Sequence, residues 1–235
     1  MPIKKAGFLK TTLIDYPGII ACTIFLPGCN LRCPFCHNRD LVDIANSNDE
    51  TLLPVDEIIS YIYKRKNILQ GVCISGGEPF IHEDLNELVK EIRKAGLKIK
   101  IDTNGLLPKK LSSCSPDYIA MDIKTAPEKY SLLTGSLPFS DRISENVRES
   151  VRLLIKSSID HEFRTTLVPG IVDESEMEII ADMAKGCRKY TLNRFNPVNT
   201  LDSKFTEVIP YTEEKYQALA GILIKKGINA VFRGF

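Results

Sequence analysis

The stretch IIACTIFLPGCNLRCPFCHN, residues 19–38, joins an apolar run to three closely spaced cysteines, Cys29, Cys33 and Cys36. Its first part, 19–27, has the β-branched and apolar content of a buried strand, and the cysteines follow where that strand ends. The same arrangement recurs along the chain. GVCIS (71–75) runs into SGGEP (75–79), KIKID (98–102) into DTNG (102–105), and YIAMD (118–122) ends in MDIK (121–124). EFRTTLV (162–168) carries Arg164, and KYTLNRF (189–195) leads into RFNP (194–197).

Helical periodicity separates these runs. Val55, Ile58, Ile59 and Ile62 share one face, as do Leu85, Leu88, Val89 and Ile92, with Gly96 as the C-cap. Ile143, Val147, Val151, Leu154 and Ile155 form a third stripe behind Ser140 as N-cap, and a last helix is expected over 213–226. Alternating strands and helices imply a parallel sheet with right-handed crossovers, either a partial or complete barrel or an open doubly wound sheet. Both architectures gather chemistry at the C-terminal ends of the strands. Six strand ends carrying polar or glycine-rich residues therefore argue for one site.

The chain has 235 residues, enough to bury a full core, and is expected to form one domain over 1–235. Lys+Arg 31 against Asp+Glu 30 leaves a net charge of +1, which suggests neither a nucleic-acid nor a membrane surface. No apolar run reaches the roughly 20 residues that span a bilayer, and MPIKKAGFLKTTL lacks a signal-peptide core. A cytoplasmic location is the expectation.

In a reducing compartment, seven cysteines point to metal binding or catalysis before disulfides. Cys22, Cys73, Cys114 and Cys187 lie far apart and read as buried packing. The remaining three admit three readings. Cys33-Pro34-Phe35-Cys36 alone is a C-x-x-C redox dithiol, which leaves Cys29 and the other strand ends without a role. Zinc with a fourth ligand is the second, but a closed structural site needs no glycine-rich loop beside it. An iron–sulfur cube held by three thiolates, with one iron open to a ligand, accounts for more of the pattern.

CNLRCPFC followed by GGEP resembles the radical S-adenosylmethionine superfamily. LIDYPG, GCNLRCPFCHN, SGGEP, DTNG, AMDIK and EFRTT together, from about Gly7 to Asn196, are similar to activating enzymes of glycyl radical enzymes. Those serving anaerobic ribonucleoside-triphosphate reductase are the nearest match. The resemblance implies a partial (β/α)6 barrel, a 4Fe–4S cluster on Cys29, Cys33 and Cys36, and reductive cleavage of S-adenosylmethionine. It implies a glycyl radical enzyme as protein substrate and flavodoxin or ferredoxin as electron donor. Activation of a pyruvate formate-lyase type enzyme, or radical chemistry on a small molecule, is the alternative.

Residue by residue, the resemblance sets Phe35 by the adenine and Gly76, Gly77, Glu78 and Pro79 at the methionyl amino group. Asp102, Thr103, Asn104, Asp122 and Lys124 fall around the methionyl and ribose parts, and Arg164 on the cofactor carboxylate. In some members of the family the equivalents of Asp102, Thr103, Asp122 and a carbonyl such as that of Met121 hold a sodium or potassium ion. Asn196 stands where relatives carry glutamine or histidine, and Asp15, His37 and Asn38 would face the substrate peptide. Structural roles compete for several of these: a core ring for Phe35, caps for Asn104 and Asp122, a surface position for Lys124, a salt bridge for Arg164, a hydrogen-bonded histidine at His37. His82 and His161 read as structural.

Overall fold

A computed structural model of the protein describes residues 3–43, 51–135, 137 and 142–234; Ser140 lies outside them. The chain forms two compact units. One comprises Met1–Asn30, Asp40–Thr103 and Ser113–Ile119, the other Leu31–Arg39, Asn104–Ser112 and Ala120–Phe235.

The first unit holds β1 (Lys5–Thr12), β2 (Ala21–Leu26), the two-residue β3 (Leu53–Pro54), α1 (Val55–Arg65), β4 (Gly71–Gly76), α2 (Leu85–Lys94) and β5 (Lys98–Thr103). β2 and β4 pair in parallel from Ala21↔Gly71 to Leu26↔Gly76, and β4 pairs in parallel with β5. β1 lies antiparallel to β2 and to β3. Consecutive residues Val72, Cys73 and Ile74 are all fully buried, as expected of a parallel strand covered on both faces. α1 buries Ile58 and Ile62, and α2 buries Leu85, Leu88, Val89 and Ile92, the faces that the periodicity marks. Gly96, with φ +79, follows the α2 C-cap Ala95 in the left-handed conformation that glycine adopts without a Cβ penalty.

α3 (Pro108–Ser113) and β6 (Tyr118–Asp122) each have residues in both units. The second unit continues with α4 (Arg142–Lys156), β7 (Asp160–Leu167), α5 (Glu174–Met183), β8 (Tyr190–Arg194), α6 (Glu213–Lys225) and β9 (Ala230–Arg233). β7 pairs in parallel with β8 and β8 with β9. α4 buries Val147, Val151 and Leu154, while Thr212 caps α6 by accepting the Lys215 N–H. The strand order of the nine-stranded sheet is β3-β1-β2-β4-β5-β6-β7-β8-β9.

The fold class is thus the expected α/β, mostly parallel one, and each of the six expected strands is present. β1, β3, β9, α3 and α5 are additions to the sequence reading. Among the described residues no helix is long and apolar enough to cross a membrane.

Candidate active site

In the first unit, β2 ends at Leu26 and the chain turns through Gly28 to Cys29. Two backbone bonds pin this turn: Gly28 N donates to Leu41 O (2.6 Å) and Cys29 N to Val42 O (3.0 Å). The loop after β4 closes on the same turn, with Gly77 N donating to Leu26 O (2.9 Å) and Glu78 N to Gly28 O (2.8 Å). The approach is so close that a Cβ on Gly77 would come within 2.6 Å of Gly28 C, and one on Gly76 within 2.9 Å of Phe25 C. Gly76 also has φ +119, which L side chains rarely adopt. The two glycines are therefore dictated by the contact between the G-G-E-P loop and the residues that lead into Cys29.

Glu78 is buried, and its Oε1 accepts the Phe80 N–H (3.1 Å) and the Thr103 hydroxyl (2.8 Å). It ties the ends of β4 and β5 together while capping the short turn that Pro79 begins. Asp102 accepts from Ser75 Oγ at 3.1 Å and pairs with the ammonium of Lys100. Asp15 accepts the Thr23 hydroxyl at 2.6 Å, so the LIDYPG loop is anchored on β2. His82 lies buried with Nε2 2.9 Å from Pro27 O, the structural role expected of it.

In the second unit, Cys33 and Cys36 share one turn, Cys36 N donating to Cys33 O at 3.0 Å. Arg32 N bonds Leu133 O (2.7 Å) and Asp202 N bonds Pro34 O (2.9 Å), which holds the turn from both sides. Phe35 is buried, its ring centroid 6.4 Å from that of Phe205. His37 Nδ1 lies 3.0 Å from Val198 O and its ring 6.2 Å from Phe195, while Asn38 is exposed. Asn196 Oδ1 accepts the Val198 N–H at 3.2 Å, and Asn104 Oδ1 the Leu106 N–H at 3.1 Å. Both asparagine oxygens therefore close local turns. Met121 is fully buried.

Asp122 is the centre of charge in this unit. Arg164 Nε donates to its Oδ1 at 2.7 Å and Lys124 Nζ to its Oδ2 at 3.0 Å. Burial opposes ionisation of Asp122, but the guanidinium and the ammonium outweigh it and hold the carboxyl well below the usual range. Burial likewise works against charge on Lys124, yet Asp122, Cys33 and Cys36 together raise its pKa. The Cys36 thiol is pushed up by burial, with Lys124 the largest opposing influence. Arg164 thus has the acidic partner that a guanidinium in mid-strand requires.

Among the described residues no group of three or more His, Cys, Asp or Glu is gathered as a metal site. The donor chemistry nevertheless suits an iron–sulfur cluster: soft thiol ligands, an ammonium near Cys33 and Cys36, and a side-chain-free glycine loop bonded beside Cys29. Sequence reading missed Lys100, Ser75, Thr23 and Tyr130, whose hydroxyl accepts the Lys124 N–H at 3.0 Å. Of these only Lys100 left a signal, as a charged residue between two isoleucines of a strand.

A family model described as the radical SAM superfamily matches residues 23–184. A Methanocaldococcus jannaschii protein named as a glycyl-radical enzyme activating enzyme is 30% identical over 98% of this chain and 95% of its own. A pyruvate formate-lyase-activating enzyme of Staphylococcus epidermidis is 31% identical over 84% of this chain and 76% of its own. Among solved structures, Streptococcus suis SuiB bound to S-adenosylmethionine shares the fold, with TM-score 0.64 over 90% of this chain at 14% identity. The chain spans 52% of the length of SuiB.

The chain belongs to the radical SAM superfamily. It is a radical SAM enzyme, and that family implies a 4Fe–4S cluster and S-adenosylmethionine as its cofactors.

Proposed function

We propose that this enzyme activates a glycyl radical enzyme, and that its partner is an anaerobic ribonucleoside-triphosphate reductase. Cys29, Cys33 and Cys36 would hold the cluster, which when bound supplies the electron that splits S-adenosylmethionine into methionine and a 5′-deoxyadenosyl radical. The protein's own residues bind, orient and exclude water. Gly76, Gly77, Glu78 and Pro79 offer backbone groups to the methionyl amino end. Asp102, Thr103, Asn104, Asp122 and Lys124 line the methionyl and ribose parts, with Arg164 on the carboxylate, Phe35 against the adenine and Asn196 as a further polar contact. Asp15, His37 and Asn38 face the incoming peptide, and flavodoxin or ferredoxin delivers the electron. A sodium or potassium ion at Asp102, Thr103, Met121 and Asp122 is the remaining expectation, and it meets competition from the protein's own cations.

The observation that carries this reading is the bonding of the G-G-E-P loop to Gly28, directly before Cys29. It makes the glycine loop and the first cluster ligand one local structure, an arrangement that neither a redox dithiol nor a closed zinc site calls for. The activating-enzyme names of relatives matching most of this chain support a protein substrate.

The test is to mix reduced enzyme and S-adenosylmethionine with candidate glycyl radical enzymes and record electron paramagnetic resonance. A glycyl doublet on the anaerobic reductase, lost when its target glycine becomes alanine, is the expected outcome. A doublet on pyruvate formate-lyase alone would transfer the assignment to that partner, a reading that the Staphylococcus epidermidis relative favours. No doublet on either, with a metabolite driving 5′-deoxyadenosine formation, would replace the activating role with small-molecule chemistry.

Arg164→Ala tests the cofactor pocket separately. Charge-assisted contacts contribute about 1.5–3 kcal/mol, so S-adenosylmethionine affinity should fall about tenfold or more while iron content is unchanged. Calorimetry decides it. A lower melting temperature with unaltered affinity would restrict Arg164 to its ion pair with Asp122.

A further inference from the structure

Lys100 lies in the middle of β5, only 1% exposed, between Ile99 and Ile101, which are fully buried. An ammonium in such surroundings is costly unless a counter-charge meets it. Two residues on, on the same face of the strand, the carboxylate of Asp102 does so. Lys100 Nζ is also 3.7 Å from Cys73 Sγ, and the second oxygen of Asp102 accepts the Ser75 hydroxyl at 3.1 Å.

Asp102 is one of the residues at which the family resemblance sets an alkali cation in some members, and here one of its oxygens is already paired with a positive charge. A second cation on that oxygen would have to displace the ammonium into an apolar core or bear its repulsion at close range. Nζ also lies beside a sulfur, a poor ligand for a hard ion such as sodium or potassium. In the second unit Asp122 is likewise paired with side-chain cations, its two oxygens receiving Arg164 and Lys124.

We propose that the Lys100 ammonium is a built-in monovalent cation for Asp102, holding that carboxylate in place so that the enzyme binds no sodium or potassium ion there. Lys100 is on this account a positioning residue. Its consequence for S-adenosylmethionine binding rests on the proposed role of Asp102 in the cofactor site, whereas the occupancy itself does not.

The experiment replaces sodium and potassium by choline at constant ionic strength, using the anaerobically reconstituted protein. In the unmodified enzyme the melting temperature should be unchanged, S-adenosylmethionine affinity should change by less than about twofold, and sodium NMR should show no saturable line broadening. Lys100→Met, neutral and of similar length, should lose about tenfold in affinity in choline, recover it when sodium or potassium returns, and show saturable broadening that the added Asp102→Asn change removes. A merely structural lysine would give a defect that no salt repairs, and that result would overturn the proposal. So would an unmodified enzyme that weakens in choline or broadens the sodium line, a result obtainable even if Lys100→Met fails to fold. The melting and sodium measurements need no bound S-adenosylmethionine, so they decide this inference independently of the cofactor and partner assignments.

Discussion

Alanine at Cys29, Cys33 or Cys36 should each abolish S-adenosylmethionine cleavage and strip most of the iron from protein that otherwise holds about four iron and four sulfide after anaerobic reconstitution. The expectation follows from ligand number. In the proposed site three thiolates would hold three irons of a cube, so losing one would leave only two attachment points. The other cysteines provide the contrast. Cys22, Cys114 and Cys187 are buried and stand far from the triplet in sequence. Cys114 and Cys187 pack as small apolar groups, and Cys114→Ala and Cys187→Ala should keep both iron and activity, losing only about 1 kcal/mol of stability each. Iron and 5′-deoxyadenosine assays on the five variants check the pattern. Full activity in Cys29→Ala would return Cys33 and Cys36 to the redox-dithiol reading.

The legible parts of this protein are those where one residue type has few reasons to occur. A cysteine triplet after an apolar run, paired glycines before Glu78, and an arginine inside a strand each limit the possibilities before any coordinates are seen. The parallel strands were legible for a related reason: with both faces covered, β2, β4 and β6 are apolar nearly throughout. β1 was not, because KAGFLKTT buries few of its side chains and so carries little pattern. α5 escaped because its buried face is short and includes Glu176, although Glu176 Oε2 accepting the Asp173 N–H at 2.9 Å is a start signal present in the sequence as D-E-S-E. Lys100 is the instructive miss. In K-I-K-I-D the flanking isoleucines mark Lys100, which is buried where Lys98 is exposed, but only the fold reveals that Asp102 compensates it.

Gly77→Ala should be the most damaging change outside the cysteines, because the methyl group has nowhere to go. Its Cβ would penetrate the Gly28 peptide, at 2.6 Å from Gly28 C, and backbone cannot swing aside as the end of a flexible side chain does. Relief requires breaking the Gly77 N–Leu26 O and Glu78 N–Gly28 O hydrogen bonds or pushing Gly28 away from Leu41. Either route moves the residue that leads into Cys29. Overpacking of this kind costs about 1–3 kcal/mol, and two lost backbone bonds add about 1 kcal/mol each. For a chain of this size that predicts a fall in melting temperature of about 5–15 °C. Gly221→Ala is the control, since a Cβ there meets nothing within 4 Å and the residue lies inside α6. Removing a helix-interior glycine should leave stability unchanged or raise it by up to about 1 kcal/mol. The discriminating measurement is iron content after reconstitution at a temperature where both variants are folded. Gly77→Ala should then retain less iron than Gly221→Ala, because displacing Gly28 misplaces the first thiolate while Cys33 and Cys36 keep their own turn. Equal iron in the two variants would mean that the loop yields without moving Cys29, and the glycine would then serve backbone packing alone.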